Sequence, residues 1–202
     1  KYSENFTDCE RALMATDDEK IITHISNFRK VKRIPDIIQI FDRIQKEIQA
    51  KLVMVDDGPE KEGAEELCER LGIADKVIFL GNSNQIDRIL CFSDLFLLPS
   101  EQESFGLAAL EAMINKVPVI SSNAGGIPEV NRQGVTGYLN DIGDIDGMAT
   151  NALKILADDN TLHTFKENAQ KVALEFDILK VLPLYEEIYK RAYERRFNNA
   201  IT

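Results

Sequence analysis

Residues 95–113 read LFLLPSEQESFGLAALEAM, the most informative stretch of the chain. The apolar run 95–98 is short and bounded by turn residues, which is typical of a strand buried on both faces of a parallel sheet. A polar loop follows, and Gly106 stands where apolar residues begin to recur at helical spacing. In α/β sheets, ligands bind where a strand leads through such a loop into a helix. The stretch therefore predicts an α/β fold with a site at the carboxyl end of a strand.

The same alternation of strand and helix patterns continues on both sides of this stretch. The strand candidates share an apolar run bounded by turn residues: 21–25, 52–55, 77–80, 95–98, 117–121 and, more weakly, 137–139. The helix candidates share apolar residues at helical spacing: 34–48, 60–71, 84–92, 105–115, 144–157, 160–174 and 178–195. Repeated strand–helix–strand units imply right-handed crossovers. We therefore predict a Rossmann-like, doubly wound parallel sheet with extra C-terminal helices.

Composition limits the classes of partner. The 202 residues include 34 acidic and 24 basic side chains, a formal net charge of -10, so the chain lacks the basic character that nucleic-acid binding needs. No apolar run approaches the roughly 18–20 residues that cross a bilayer, and no secretory leader pattern is present. The cysteines Cys9, Cys68 and Cys91 are far apart, as is typical of a reducing compartment. We expect a cytoplasmic protein with no nucleic-acid partner and no integral membrane segment.

A basic cluster follows the first predicted strand. Phe28-Arg29-Lys30-Val31-Lys32-Arg33 places four basic residues in five positions inside an acidic chain. Taken alone, a solvated basic turn is the simpler interpretation. At a strand end that leads into a helix, however, arginine guanidinium groups, a lysine ammonium and free helix N–H groups can bind the same phosphate oxygens.

Two glycine-containing turns follow other strands. Asp56-Asp57-Gly58-Pro59-Glu60 is most simply a structural turn, and it lacks the GxGxxG fingerprint of nicotinamide-dependent enzymes. Asn123-Ala124-Gly125-Gly126-Ile127-Pro128-Glu129 is either a turn that enters a helix or part of the ligand crevice. The sequence leaves these two interpretations of the second turn open.

Two glutamates, Glu103 and Glu111, lie eight positions apart in the opening stretch. Glu103 is expected in the loop at the strand end and Glu111 about two turns into the helix. The N–H groups of Phe105, Gly106 and Leu107 would form an anion site. Because Gly106 has no side chain, a ligand could approach this backbone closely. Glu103 is then placed to accept hydrogen bonds from sugar hydroxyls and Glu111 from ribose hydroxyls.

The ordered series of motifs resembles the C-terminal domain of glycosyltransferase family 4, retaining enzymes with the GT-B fold, from about residue 21 to residue 189. Residues 103–111 match that family's E-x7-E signature, and 117–120, 125–129 and 134–138 follow at its usual intervals. Residues 1–20 are polar and lack periodicity, which predicts a linker or hinge. The resemblance implies a nucleotide-sugar-binding domain at 21–176 and a C-terminal helical segment at 177–202. That last segment would pack toward the protein's own N-terminal GT-B domain.

Residues 24–33, HISNFRKVKR, are similar to the N-acetylglucosaminyl L-malate synthases of bacillithiol biosynthesis, where Ser-Asn-Phe also replaces Gly-Arg-Leu. The resemblance implies UDP-GlcNAc as the donor and L-malate as the acceptor. It implies Lys32 and Arg29 at the diphosphate, Glu111 at the ribose, and Glu103 with the 104–107 backbone at the donor sugar and pyrophosphate. The loop 81–83 would lie near the uracil. The implied site has the catalytic residues Glu103, Lys32 and Arg29 and the donor-binding residues Asn27, Gly81, Asn82, Ser104, Phe105, Gly106, Leu107 and Glu111.

A metal ion or other cofactor is not expected. Positioned cations and a helix N-terminus can stabilise a departing UDP by themselves. Asp144-x-Asp146 has the form of a metal-binding DxD motif, but its position at a predicted helix start favours N-terminal capping. The chain by itself is expected to be inactive, because the family takes most of its acceptor site from the N-terminal domain.

Two positions depart from the family pattern. Asp56 stands where a glycine is common, and Lys116 replaces a glycine after the Glu111 helix, where Asn115 is the alternative left-handed residue. Three other functions are alternatives: a family 4 transferase with another donor or acceptor, a UDP-GlcNAc 2-epimerase-like GT-B protein, and a response-regulator receiver. The receiver is disfavoured by chain length and because Asp56-Asp57 follows the second strand rather than the first.

Overall fold

The structure, a computed structural model, describes residues 11–198. Six strands form one parallel sheet in the order β3-β2-β1-β4-β5-β6. They are β1 (Lys20–Ile25), β2 (Ala50–Val55), β3 (Val77–Gly81), β4 (Leu95–Leu98), β5 (Val119–Ser122) and β6 (Gly137–Asn140). The chain winds outward from β1 to β3 and then returns to the other side of β1. The switch point, at which ligands bind in such sheets, is therefore between β1 and β4.

Helices cover both faces of the sheet. Those in the described residues are α1 (Ile34–Ile44), α2 (Lys61–Leu71), α3 (Ile86–Cys91), α4 (Leu107–Ile114), α5 (Ile127–Val130), α6 (Ile145–Leu156), α7 (Asp159–Ala173) and α8 (Ile178–Asn198). Alternate residues of β4 point to opposite faces. Leu95 and Leu97 join a core with α1, α2 and α6, whereas Phe96 and Leu98 join one with α4, α5 and α7. The doubly wound α/β prediction is confirmed.

Strand predictions agree with the structure to within about two residues, and the largest difference has a local cause. The strand pattern at 117–121 becomes β5 from Val119, because Pro118 has no N–H for the sheet and contributes only a carbonyl, which accepts from Phe96 N at 2.9 Å. The helix pattern at 34–48 ends earlier, at Ile44. Neither difference moves a strand end at the switch point.

The end of α4 corrects one sequence prediction. The Lys116 N–H donates to Met113 O at 3.0 Å and the Val117 N–H to Ala112 O at 3.0 Å, the two bonds of a Schellman motif. Lys116 takes the left-handed conformation, with φ 62°, whereas Asn115 has φ -85°, so the assignment of that role to Asn115 is wrong. The Lys116 ammonium pairs with Glu167 at 2.8 Å. A lysine thus occupies backbone geometry that favours glycine.

Asp56 has the same property at the end of β2, with φ 90°. Its N–H donates to Gly81 O at 2.8 Å, and its carboxylate accepts from the Asp57 N–H at 2.9 Å. Local hydrogen bonding of this kind is the reason that aspartate tolerates positive φ better than most residues. Both departures from the family pattern therefore keep a glycine-like backbone.

Other predictions concern the ends of the chain and its cysteines. Residues 1–10, which include Cys9, lie outside the described part of the chain. Arg11 forms an ion pair with Asp94 at 3.0 Å. The linker predicted at 1–20 therefore stays a prediction. Cys68 is a buried free thiol, but Cys91 is disulfide-bonded, so the expectation that the cysteines are reduced is wrong for Cys91. Within residues 11–198, no helix has both the length and the apolar character to cross a membrane.

Candidate functional site

Two loops meet at the switch point of the sheet. One follows β1 and carries the basic cluster, and the other follows β4 and carries Glu101 and Glu103. The Glu101 N–H donates to Val31 O at 2.9 Å, and Arg33 Nη1 donates to Glu101 Oε1 at 2.8 Å. The structure therefore brings the basic and acidic motifs together, as the topology predicted.

Lys32 and Glu103 form the central ion pair of this site. The Glu103 carboxylate also accepts a hydrogen bond from Ser100 Oγ at 3.2 Å. The side chains are only 19% and 15% exposed, so the pair is partly shielded from water. The resemblance implies Lys32 at the diphosphate and Glu103 at the donor sugar and pyrophosphate, and in the structure these two side chains contact each other across 71 positions of the chain.

The remaining residues of the basic cluster divide into structural and exposed ones. Arg33 binds Asp36 at 2.6 Å and Glu101 at 2.8 Å, and these bonds, Asp36 first, raise the pKa of the Arg33 guanidinium. Arg33 therefore links loop to helix. The side chains of Asn27 and Arg29 are exposed at the surface of the same loop, so Arg29 is near Lys32 in sequence but outside the Lys32–Glu103 ion pair.

Phe28 anchors the loop after β1 to the protein core. Phe28 is fully buried, its N–H donates to Asp57 O at 3.1 Å, and its carbonyl accepts from the Glu60 N–H at 2.9 Å. A Cβ on Gly58 would lie 2.7 Å from Phe28 N, so glycine is needed for this close approach. The turn at 56–60 is therefore structural, and what it supports is the basic loop.

Helix α4 begins at the site with its N-terminus uncapped by a side chain. Its N-cap is Gly106, with φ 90°, a conformation that favours glycine. The first N–H groups of a helix have no partner within it, and the helix dipole adds positive potential there. Ser104 and Leu107 are exposed, whereas the Phe105 ring packs against Phe176 at 5.8 Å between centroids. Phe105 can therefore offer a ligand its backbone while its ring anchors the loop.

The Gly125-Gly126 turn is in direct contact with the loop after β4 that carries Glu103. The Gly126 N–H donates to Glu103 O at 2.9 Å. A Cβ at Gly125 would overlap the Glu103 carbonyl oxygen, and one at Gly126 would overlap that of Ser104. The turn enters α5, as one interpretation predicted, and it packs against the backbone of the loop that carries Glu103, whereas its place in a ligand crevice stays a prediction.

Glu111 lies on the second turn of α4, about 7.5 Å along the helix axis from Gly106. Its side chain is exposed, yet nearby protein atoms reduce its hydration and, together with Asp87 of α3, raise its pKa. The Asn115 amide joins the two helices, since it donates to Asp87 Oδ1 at 3.4 Å and to Glu111 O at 2.9 Å. Glu111 is suited to accept hydrogen bonds from a pair of hydroxyls.

An open cavity of about 510 Å³ lies beside these loops, at the ends of β1, β2 and β3. Its apolar floor and polar rim are formed by Ile25, Val55, Asp56, Asn82, Ser83, Asn84 and Ile86. Gly81, with φ 68°, turns the chain into this rim. The sequence predicted the loop 81–83 but missed Asn84, Ile86 and the apolar floor, which only the adjacency of the three strands reveals.

His24 is a further residue whose position sequence reasoning missed. It is fully buried on β1, with Nδ1 2.8 Å from Leu97 O and Nε2 2.7 Å from Ser26 Oγ. Burial, which removes water from the charged ring, lowers the pKa of His24 to about 4. A single histidine in an apolar run gives no signal of such a position.

The aspartate motif Asp144-x-Asp146 is not part of this site. Asp144 caps α6 by accepting from the Gly147 N–H at 2.9 Å, as predicted, and Asp146 pairs with Arg43. Among the residues that the structure describes, no group of three or more His, Cys, Asp or Glu side chains is placed to hold a metal ion.

The sequence is similar to those of known proteins. Residues 7–172 match the family described as glycosyl transferases group 1. The chain is 43% identical to N-acetyl-alpha-D-glucosaminyl L-malate synthase of Bacillus anthracis over 93% of its own length and 50% of that protein's. The chain thus spans about half the length of the curated relatives it matches.

Solved structures share the same architecture. Anabaena HepE in complex with UDP matches with a TM-score of 0.78 at 26% identity, over 86% of this chain and 49% of that one. Sucrose-phosphate synthase from Thermosynechococcus elongatus matches with a TM-score of 0.82 at 24% identity, over 93% and 49% respectively. The second likeness concerns the fold alone.

Proposed function

Since the chain belongs to the glycosyl transferases of group 1, we propose that it is the donor-binding half of a retaining glycosyltransferase that uses a UDP-sugar. The observation that carries the proposal is the meeting of Lys32 and Glu103 beside the glycine-capped start of α4. A cation, a carboxylate and free helix N–H groups are the partners that a sugar diphosphate needs. They lie together at the switch point of the sheet.

The diphosphate binds between the basic loop and α4. Lys32 supplies a point charge, the exposed Arg29 supplies a fork, and the first N–H groups of α4 supply the positive end of a helix dipole. When the bond from the sugar to the phosphate breaks, negative charge develops on the departing UDP. Fixed positive groups stabilise that charge without reorganising, which lowers the barrier to transfer.

The nucleoside extends away from this point along the sheet edge. The cavity at the ends of β1–β3 has an apolar floor for a planar base, and its rim of Asn82, Ser83 and Asn84 can read the edge of a uracil. Glu111 accepts hydrogen bonds from the ribose. Glu103 faces the sugar that is transferred, with its carboxylate near the developing positive charge at the anomeric carbon.

UDP-GlcNAc is the proposed donor and L-malate the proposed acceptor, in bacillithiol biosynthesis and in the cytoplasm. Support comes from the name of the Bacillus anthracis relative and from the 24–33 stretch that resembles such enzymes. UDP itself is supported by the HepE complex.

The acceptor site is proposed to be completed by a second domain. Helix α8 exposes apolar side chains that a single domain would bury, among them Ile178 at 67%, Leu179 at 79% and Tyr189 at 72%. Because the chain spans about half the length of its relatives, we expect this surface, on the segment 177–202, to pack against the other half.

The test is calorimetric titration of residues 1–202 with UDP, GDP, UDP-GlcNAc and UDP-glucose, each in EDTA and in Mg²⁺. We expect UDP and UDP-GlcNAc to bind weakly, GDP to bind more weakly still, and EDTA to change nothing, because fixed cations supply the positive field. Lys32→Ala should weaken UDP far more than uridine. No binding of any uridine nucleotide, or binding only with Mg²⁺, would contradict the proposal.

A second measurement tests the role of the chain as one half of an enzyme. With UDP-GlcNAc and malate, residues 1–202 alone should release no GlcNAc-malate, and a covalently joined N-terminal domain should restore turnover. Robust transfer by the chain alone would refute this part of the proposal. Epimerised UDP-sugar from the joined protein would favour the 2-epimerase alternative.

A further inference from the structure

His24 occupies an unusual position for a polar residue. It is fully buried on β1, and the centroid of its ring lies 6.3 Å from that of Phe28 and 6.2 Å from that of Phe96. Both ring nitrogens have partners, Leu97 O at 2.8 Å and Ser26 Oγ at 2.7 Å. The mechanism proposed above does not use this residue.

The partners of His24 fix the position of its proton. A backbone carbonyl only accepts hydrogen bonds, so Nδ1 carries the hydrogen that is donated to Leu97 O. The ring is neutral near pH 7, since burial lowers the His24 pKa to about 4. Nε2 therefore has no hydrogen and accepts one from the Ser26 hydroxyl.

The consequence concerns what Ser26 can offer to a ligand. A serine hydroxyl has one hydrogen, and at Ser26 that hydrogen is directed into the protein. Ser26 is partly exposed at the end of β1, next to Asn27 at the switch point. Its oxygen can accept a hydrogen bond from a ligand but has none to donate, so a phosphate oxygen there would meet only lone pairs. A hydroxyl or an amide N–H would be bound favourably.

We propose that Ser26 is a specificity-determining acceptor for a hydroxyl or amide N–H on the donor sugar, and that His24 is the positioning residue that fixes its polarity. The inference rests on the proposed function, since it takes a UDP-sugar to lie in the crevice. The sugar is assigned because the diphosphate carries no hydrogen to donate at neutral pH and the ribose is proposed to lie at Glu111. The proposed base cavity is lined by Ile25, next to Ser26, so the affinity for UDP separates a contact to the sugar from one to the base.

Two measurements test the proposal. In two-bond ¹H–¹⁵N correlation spectra at pH 7, His24 should show a protonated Nδ1 and a bare Nε2. In calorimetry, Ser26→Ala should leave UDP affinity within about twofold and weaken UDP-GlcNAc about 3- to 10-fold, the range for one hydrogen bond. Ser26→Thr, which restores a hydroxyl, should recover most of the loss.

The outcomes separate this inference from the proposed function. If wild-type protein binds no uridine nucleotide, the proposed function fails and the inference fails with it. If UDP binds but Ser26→Ala weakens UDP and UDP-GlcNAc equally, or weakens neither, only the inference is overturned. A protonated Nε2 on His24 would also overturn it, because Ser26 would then keep its hydrogen for a ligand.

Discussion

Replacing Glu103 by glutamine separates the ion pair at the centre of the site while keeping the size of the side chain. Lys32 is the partner of Glu103 in the structure, and we propose that it is also a partner of the diphosphate. Binding of UDP then requires Lys32 to exchange or share its carboxylate. Glu103→Gln should therefore strengthen the binding of UDP, although it removes a residue of the proposed site.

The expected magnitude follows from the exposure of the pair. Side chains that are 19% and 15% exposed are neither freely solvated nor fully buried, and Ser100 Oγ, 3.2 Å away, also holds the carboxylate. Exposed ion pairs contribute about 0.2–1 kcal/mol, and the desolvation cost of a more buried pair offsets part of its stronger attraction, so we take about 1 kcal/mol. This corresponds to about a fivefold gain in UDP affinity. UDP-GlcNAc should gain less, because glutamine accepts a sugar hydroxyl's hydrogen bond more weakly than a carboxylate does.

Calorimetry with UDP and UDP-GlcNAc measures both effects. Glu101→Gln is the matched control, because it removes the same charge two residues away, where the carboxylate pairs with Arg33 at 2.8 Å. The control should change UDP affinity by less than about twofold, as expected for an exposed pair. Weaker UDP binding by Glu103→Gln, or an equal gain in the Glu101→Gln control, would refute the exchange.

Three further predictions concern stability. In the folded protein the pKa of His24 is about 4, below its ordinary 6.5, so the unfolded chain binds the proton first as the pH falls, and about 2 kcal/mol of stability should be lost between pH 7 and pH 5. In urea titrations over this pH range, the free energy of unfolding of His24→Gln should lack this loss. A dependence on pH as steep in His24→Gln as in the wild type would contradict the prediction. Lys116→Gly should be about 1 kcal/mol more stable than Lys116→Ala, because both variants lose the same ion pair but only glycine adopts φ 62° without steric strain. Equal unfolding midpoints for the two variants would be inconsistent with a left-handed Lys116. Gly125→Ala should lower the free energy of unfolding by about 1–3 kcal/mol more than Gly134→Ala and should also lower UDP affinity. Both glycines have positive φ, but only a Cβ at Gly125 overlaps the Glu103 carbonyl. Similar losses of stability at both glycines would show that the turn does not support the site.

The fold was predictable because its strands are buried on both faces. Such strands are apolar at most positions, so runs such as 95–98 stand out without any knowledge of their neighbours. The boundaries were less predictable where one residue changes the hydrogen bonding, as Pro118 does before β5. The choice of Lys116 over Asn115 was missed because the Schellman bonds, not residue propensity, decide which position turns left-handed.

The site was predictable as a set of loops but not as a set of contacts. Spacing and topology place the basic cluster and the two glutamates at strand ends, but they cannot show that Lys32 and Glu103 touch across 71 positions. The role of His24 depends on a carbonyl of β4 and on the hydroxyl of Ser26, so it appears only when β1 and β4 are paired. Exposure of Arg29 is likewise a property of the folded loop.

The central claim is that a uridine diphosphate binds where β1 and β4 end. It is tested most directly by adding UDP to ¹⁵N-labelled residues 1–202 in EDTA and following the backbone amides. The account predicts shifts in three segments, 26–33, 81–86 and 103–111, with α7 and α8 unaffected. Shifts confined to α8 or to the amino ends of the strands, or no shifts at millimolar UDP, would contradict it.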